Sequence, residues 1–268
     1  EVMALGLLKM EFLGLRNLAV LDETTRILAA HGIQIDIERL PLDDASTYDL
    51  FGRGDTTGVF QFESAGMRDY LQKLKPDRIE DLIAMNALYR PGPMHYIDQY
   101  IARKHGKEAV TYDHPLLEPI LKETYGVITY QEQVMRVARD LAGFTMGQAD
   151  LLRKAMGKKI ASLLAEQEAL FLKGSRERQI PEKVAKKIFD DMAVFAGYGF
   201  NKAHSTGYAL VAYQCAYLKA NYSACFMAAN LNSEIGDIDR LVVLIDECRR
   251  MDISVLPTDV NESDVLFK

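Results

Sequence analysis

The sequence has little cysteine. Its 268 residues hold three, Cys215, Cys225 and Cys248, and no Cys-x-x-Cys pair. An odd count so spaced argues against a disulfide framework and for a reducing, cytoplasmic setting; the three read as small residues packed in helices. Histidine is sparse and scattered, at His31, His95, His105, His114 and His204, so no Cys/His cluster has zinc spacing. No apolar run approaches the roughly 20 residues that cross a bilayer, so no membrane partner is expected. The opening Glu1-Val2-Met3 lacks the cationic n-region of a secretory signal. The chain is expected to be an interior piece of something longer. Positive charge is also short: the formal net charge is −6, which taken as a sum speaks against a nucleic-acid binder.

What is present suits a folded protein. Hydrophobic residues make up 49% and charged residues 26%, and the length supports one large domain or two modest ones. The charge is unevenly spread. From Leu151 to Ile160 there are Arg153, Lys154, Lys158 and Lys159 and no acid, while acids gather at Asp43-Asp44 and at Glu234, Asp237 and Asp239. A local basic groove on an acidic protein is compatible with that distribution.

The patterning is mainly α. The short apolar run Leu5–Leu13, closed by Gly14, reads as a buried strand. Leu15–Ala30 reads as a helix with Leu15, Leu18, Val20 or Leu21, Thr25 and Leu28 on one stripe, ended by Gly32. Helices are predicted from Asp44, Ser64 and Asp77, each acting as a cap, to Phe51, Leu74 and Leu88. Others are predicted over Gln131–Leu141, Gly147–Met156, Ala161–Arg178, Pro181–Phe195, Ser205–Asn221, Ala224–Leu231 and Ile238–Met251. Val184, Ile188, Met192 and Phe195 make a helical stripe. Short strands are predicted at Gly58–Phe62, Val127–Tyr130 and Ser254–Leu256.

Three stretches have the residue types for binding an anionic, ring-bearing ligand. In Phe195-Ala-Gly-Tyr198-Gly-Phe-Asn-Lys202-Ala-His204 two glycines let the backbone approach closely, aromatics alternate with them, and Lys202 and His204 come just before a helix N-terminus, where free N–H groups favour an anion. Tyr208 falls one turn on, beside His204. The same spacing also fits a plain glycine-rich interhelical turn. In Leu151–Lys159 four cations sit at a helix end, which suits either a phosphate clamp or a solvated charged face. Tyr89-Arg90-Pro91-Gly92-Pro93 is a stiff turn that holds Arg90. Tyr130-Gln131-Glu132-Gln133 reads as an ordered junction. Glu11, on the first run, is either a carboxylate turned to an open sheet face or a metal ligand.

Six motifs in order carry a family likeness: Gly6–Leu18, Asp55–Ser64, Ala87–Pro93, Glu123–Met135, Ala149–Lys159 and Phe195–His204. Together they resemble the C-family replicative polymerases, the group of the bacterial DNA polymerase III alpha subunit, over essentially the whole chain. The resemblance implies that residues 1–13 are the last strand of the catalytic palm. It implies that residues 14–268 are the fingers, with a subdivision near 105–115. Glu11 stands where the family's Lys-x-Asp-Phe-Leu-Gly motif has the third metal-binding carboxylate, one methylene shorter. It would be the catalytic and Mg2+-binding residue contributed by this chain to the intact enzyme's site.

By the same likeness, Arg153, Lys154, Tyr198, Lys202, His204 and Arg90 would meet the incoming dNTP, with His204 beside its sugar. Lys154 stands where the family commonly has arginine, so it keeps the charge and loses the fork. Lys158 and Lys159 would meet primer-template DNA. The sliding clamp and other holoenzyme subunits would bind outside this chain, and the chain alone would be inactive. Two other readings stay open: a non-enzymatic helical interaction module, and a piece of an error-prone alpha-like paralogue.

Overall fold

Where the sequence supplies a short polar side chain ahead of an amphipathic run, the backbone turns helical. The computed structural model describes residues 5–8, 10, 12–158, 160–196 and 198–268. The thirteen α-helices found there are α1 (Arg16–Ala30), α2 (Ala45–Arg53), α3 (Ala65–Leu74), α4 (Ile79–Leu88), α5 (Ile97–Lys104), α6 (Glu118–Leu121), α7 (Gln131–Ala142), α8 (Met146–Lys158), α9 (Ala161–Glu177), α10 (Glu182–Ala196), α11 (Lys202–Asn221), α12 (Ser223–Ser233) and α13 (Ile238–Arg250). Asp44 caps α2 by accepting from the N–H of Thr47, and Ser64 caps α3 by accepting from that of Met67. Asp77 does not cap α4. Arg78 occupies that position without a side-chain bond, and Asp77 instead accepts from Lys104 at 2.6 Å.

The mainly α reading holds, and three predicted strands do not. Gly58–Phe62 is a run of turns and Ser254–Leu256 is irregular. At Val127–Tyr130 only an isolated parallel bridge forms, Tyr130 to Phe200. The described residues of the first run are not a buried strand either. Leu8, Phe12 and Leu13 are exposed, as are Leu5, Leu7 and Met10. A strand is stable only when a neighbour takes its backbone groups, and none among the described residues does. Glu11 and Lys159 lie outside the described residues. In α1 the buried stripe is Val20, Leu21, Thr24 and Leu28, and Leu18 faces solvent.

The chain divides into two compact units, Glu1–Leu40 with Gln214–Lys268, and Pro41–Tyr213. Residues 105–115 lie inside the second. In the smaller unit α1 packs on α12 and α12 on α13. Lys219 and Glu247 form a buried ion pair there at 2.6 Å. In the larger unit α7, α8, α9 and α10 enclose an apolar core that includes Val134, Leu141, Leu152, Phe171, Ile188, Phe189 and Met192. Burying side chains of this size contributes about 1.5–3 kcal/mol each. Gly174 permits the close crossing of α9 over the end of α7. A Cβ there would stand 2.0 Å from the carbonyl oxygen of Ala142.

Candidate functional site

The site lies within the larger unit and is built on Tyr130. That ring is fully buried, and the segment before α7 is pinned by Gln133, whose Oε1 accepts from the N–H groups of Thr129 (2.8 Å) and Tyr130 (3.0 Å). Gln133 is held in turn by donating to Thr124 Oγ1 at 2.9 Å. Against this fixed edge runs the turn that precedes α11. Phe200 N–H donates to Thr129 O at 3.3 Å, and Gln131 N–H donates to Phe200 O at 2.9 Å.

Three further elements meet the turn. From the end of α4, Arg90 donates through Nη2 to Tyr198 O at 2.8 Å, and its guanidinium lies 4.3 Å from the centre of the Phe200 ring. Burial lowers the Arg90 pKa from its ordinary value. Beside it Gly92, at φ +108°, has no room for a side chain: a Cβ would fall 2.4 Å from the Tyr198 ring. The stiff Pro-Gly-Pro turn thus seats Tyr198, which stays 40% exposed. From α8, Arg153 donates through Nη1 to Gln131 Oε1 at 3.2 Å, and the same amide donates through Nε2 to Gly199 O at 2.8 Å. Just before and along α11, the rings of Phe200, His204 and Tyr208 follow one another in tilted contact, at 5.4 and 4.4 Å, and Phe60 closes the row on Tyr208 at 5.0 Å. Asn86 and Ser205 tie that first turn of α11 to α4.

Six of the residues singled out in the sequence therefore lie on one connected surface: Arg90, Arg153, Lys154, Tyr198, Lys202 and His204. Lys154 reaches it through Asp150, which also accepts from Arg153. Hydrogen bonds from Lys154 and then Arg153 lower the Asp150 pKa from the usual carboxylate value. The site is open: Arg153 is 26% exposed and Lys154 54% by side chain. Lys158 is exposed at the end of α8.

The helix end differs from the expectation. α11 starts at Lys202, three residues early, so Lys202 and His204 lie in its first turn. Two of its first N–H groups are already engaged. Lys202 N–H donates to Glu132 Oε1 and Oε2 at 3.1 and 3.0 Å, and His204 N–H to Asn201 Oδ1 at 2.8 Å. Lys202 Nζ donates to Glu123 at 2.8 Å and lies over the Tyr130 ring. The favoured position for an anion at a helix start is filled by the protein's own Glu132. Sequence reading missed Gln131, Glu132 and Glu123. The signals were the Glu123–Met135 motif that contains all three and a run of polar side chains beside Tyr130 at a helix start.

Residues 17–179 match the family model described as the bacterial DNA polymerase III alpha subunit finger domain. The chain belongs to that family. Its relatives agree. It is 50% identical to the DNA polymerase III subunit alpha of Rickettsia conorii over 98% of this chain and 22% of that protein. It is 50% identical to that of Thermus aquaticus over 100% of this chain and 22% of that protein. It is 50% identical to that of Aquifex aeolicus over 98% and 23%. The chain thus spans under a quarter of the length of these relatives. The finger-domain match takes in Arg90, Arg153, Lys154 and Gln131 but ends before Tyr198, Lys202 and His204. Among the described residues no three His, Cys, Asp or Glu gather so as to hold a metal ion, and no helix is long and apolar enough to cross a membrane.

Proposed function

We propose that this chain is the fingers of a replicative DNA polymerase and binds the incoming dNTP and the primer-template for template-directed nucleotidyl transfer by the intact enzyme. The observation that supports it most is the Gln131 amide, which joins Arg153 on α8 to Gly199 in the ring-bearing turn. A guanidinium fork and a row of rings at one place suit a triphosphate carried on a nucleoside.

In this reading Arg153 and Lys154 take the triphosphate, and Arg90 holds Phe200 and Tyr198 in place beside the base pair. His204, in the ring row, meets the sugar. Lys202 reaches the phosphates by exchanging Glu123 for them. Lys158 and Lys159 meet the DNA backbone. Residues 1–13 complete the palm as its last strand, pairing with a sheet outside this chain. The exposed apolar side chains of Leu8, Phe12 and Leu13 fit such a role. DNA polymerases in general use a divalent metal. Here it would be Mg2+, held in the palm of the intact enzyme with Glu11 as one ligand, and the described residues of this chain supply no such donor set. The chain alone is inactive, works in the cytoplasm, and meets the sliding clamp and other holoenzyme subunits through regions it does not contain.

The test is Arg153→Ala in the full-length polymerase. Loss of a charge-assisted contact to phosphate raises the KM for dNTP about tenfold or more. An unchanged KM and kcat would remove the role.

A further inference from the structure

Gln131 makes three polar contacts, all to residues far away in sequence. Its N–H donates to Phe200 O, its Nε2 to Gly199 O, and its Oε1 accepts from Arg153 Nη1. Asp150 Oδ1 accepts from Arg153 Nε at 3.0 Å and Nη2 at 2.8 Å. The arginine fork is thus held from two sides, by Asp150 and by Gln131. The amide's orientation is dictated by its partners: arginine only donates and a carbonyl only accepts, so oxygen must face one and nitrogen the other. Gly199 sits close enough that a Cβ there would meet Gln131 Cγ at 3.2 Å. Among the described residues, this one side chain joins the arginine to the turn through two hydrogen bonds.

We infer that Gln131 is a positioning residue, a spacer that sets the distance between the Arg153 guanidinium and the Tyr198–Phe200 turn so that phosphates and nucleoside are received together. The inference rests on the nucleotide-binding function proposed above. It separates Gln131 from Glu132 and Gln133 beside it, whose bonds fix α11 and the 129–130 segment. A carboxylate at 131 keeps the arginine contact but sets oxygen against the Gly199 carbonyl. A leucine loses both contacts at similar volume.

The experiment is steady-state primer extension by the full-length polymerase carrying Q131L, Q131E, R153A and the double variant Q131L/R153A, with circular dichroism melting of each. Q131L raises the KM for dNTP about tenfold with a smaller change in kcat. In the double variant the KM stays within about twofold of R153A alone, because a spacer has nothing left to place. Q131E lies between the parent and Q131L. If Q131L multiplies the KM as much on the R153A background as on the parent, Gln131 acts by packing alone and the inference fails while the nucleotide-binding reading stands. If R153A itself keeps the parental KM, that reading falls and the inference falls with it. Should Q131L melt early, Q131E decides: a parental KM for it overturns the spacer role.

Discussion

Two charged clusters in the larger unit are built on opposite terms. Around Asp81 the central pair is closed. Its carboxylate is 0% exposed, Lys104 is 5% exposed by side chain, and the two meet at 2.7 Å. Tyr100 donates to Asp81 at 3.1 Å and Arg78 stands 3.5 Å away. Around Arg153 the groups are half-buried or exposed, and each cation is shared with a carboxylate or amide near solvent. A buried pair has no water to replace a lost partner, so its loss is felt by the fold. A pair at the surface exchanges partners at little cost. The second arrangement is the one that can release its cations to a ligand.

Breaking the closed cluster has the largest effect. Lys104→Met leaves the Asp81 carboxylate buried without its closest cation, and should cost about 3 kcal/mol, read as a lower urea midpoint for the 268-residue chain. Adding Asp81→Asn should recover part of that, because a neutral amide no longer needs the cation. If Lys104→Met melts like the parent, the contrast with the open site is lost.

Arg90 tests the middle of the range. Its guanidinium holds the turn through Tyr198 O and the Phe200 ring. Arg90→Ala should cost about 1 kcal/mol of stability, a Tm fall of about 3 °C at this chain length. The KM for dNTP in the full-length enzyme should rise by more than that fold loss explains. Equal losses in fold and KM would move Arg90 to the structural side of the comparison.

The same contrast decides what could be read from the sequence. Local chemistry was legible. Asp44 and Ser64 cap where their spacing said, the Val184–Phe195 stripe is largely buried, and His204 stacks on Tyr208 because they lie one turn apart. Asp77 looked like an equal cap, yet Lys104, 27 positions on, engages it. The early start of α11 depends on Glu132, 70 positions before it. Gln131 looked like any polar junction residue, because its meaning lies in Gly199 and Arg153, 68 and 22 positions away. The run before α1 has the composition of a strand and no neighbour among the described residues to make it one.

A pH series sharpens the comparison with a smaller effect. Hydrogen bonding to Lys104 lowers the Asp77 pKa. A lowered carboxylate stabilises the fold above its unfolded pKa of about 4 and loses that contribution as pH falls through its folded value. Burial works against the Lys104 charge, but the hydrogen bonds it donates to Asp77 and Asp81 outweigh it and leave its pKa raised. A raised lysine contributes below its unfolded pKa of about 10.4 and loses it as pH climbs through the folded value. Stability should therefore hold between about pH 5 and 9 and fall at both ends. Asp77→Asn should flatten the acid limb only modestly, since Asp77 is 74% exposed and water screens it. An acid limb unchanged by Asp77→Asn would take that residue out of the closed cluster.

The smallest effect expected is at the outer end of α8. Lys158 is exposed, so under the proposed function its expected contribution to DNA binding is counterion release and little else. Each phosphate contact on duplex DNA adds about 0.9 to the slope of log affinity against log salt. Lys158→Ala in the full-length polymerase should reduce that slope by about 0.9, as seen by fluorescence anisotropy with primer-template across a salt series. It should leave the KM for dNTP unchanged, because Lys158 is not joined to the Gln131 bridge. Arg153→Ala should do the reverse: the dNTP term moves and the salt slope hardly does. If the two variants change the same quantity, α8 is one undivided basic face and the division between its nucleotide end and its DNA end disappears. If neither changes the slope, the basic run is solvated surface, and the reading of this chain as a DNA-contacting module loses its electrostatic support.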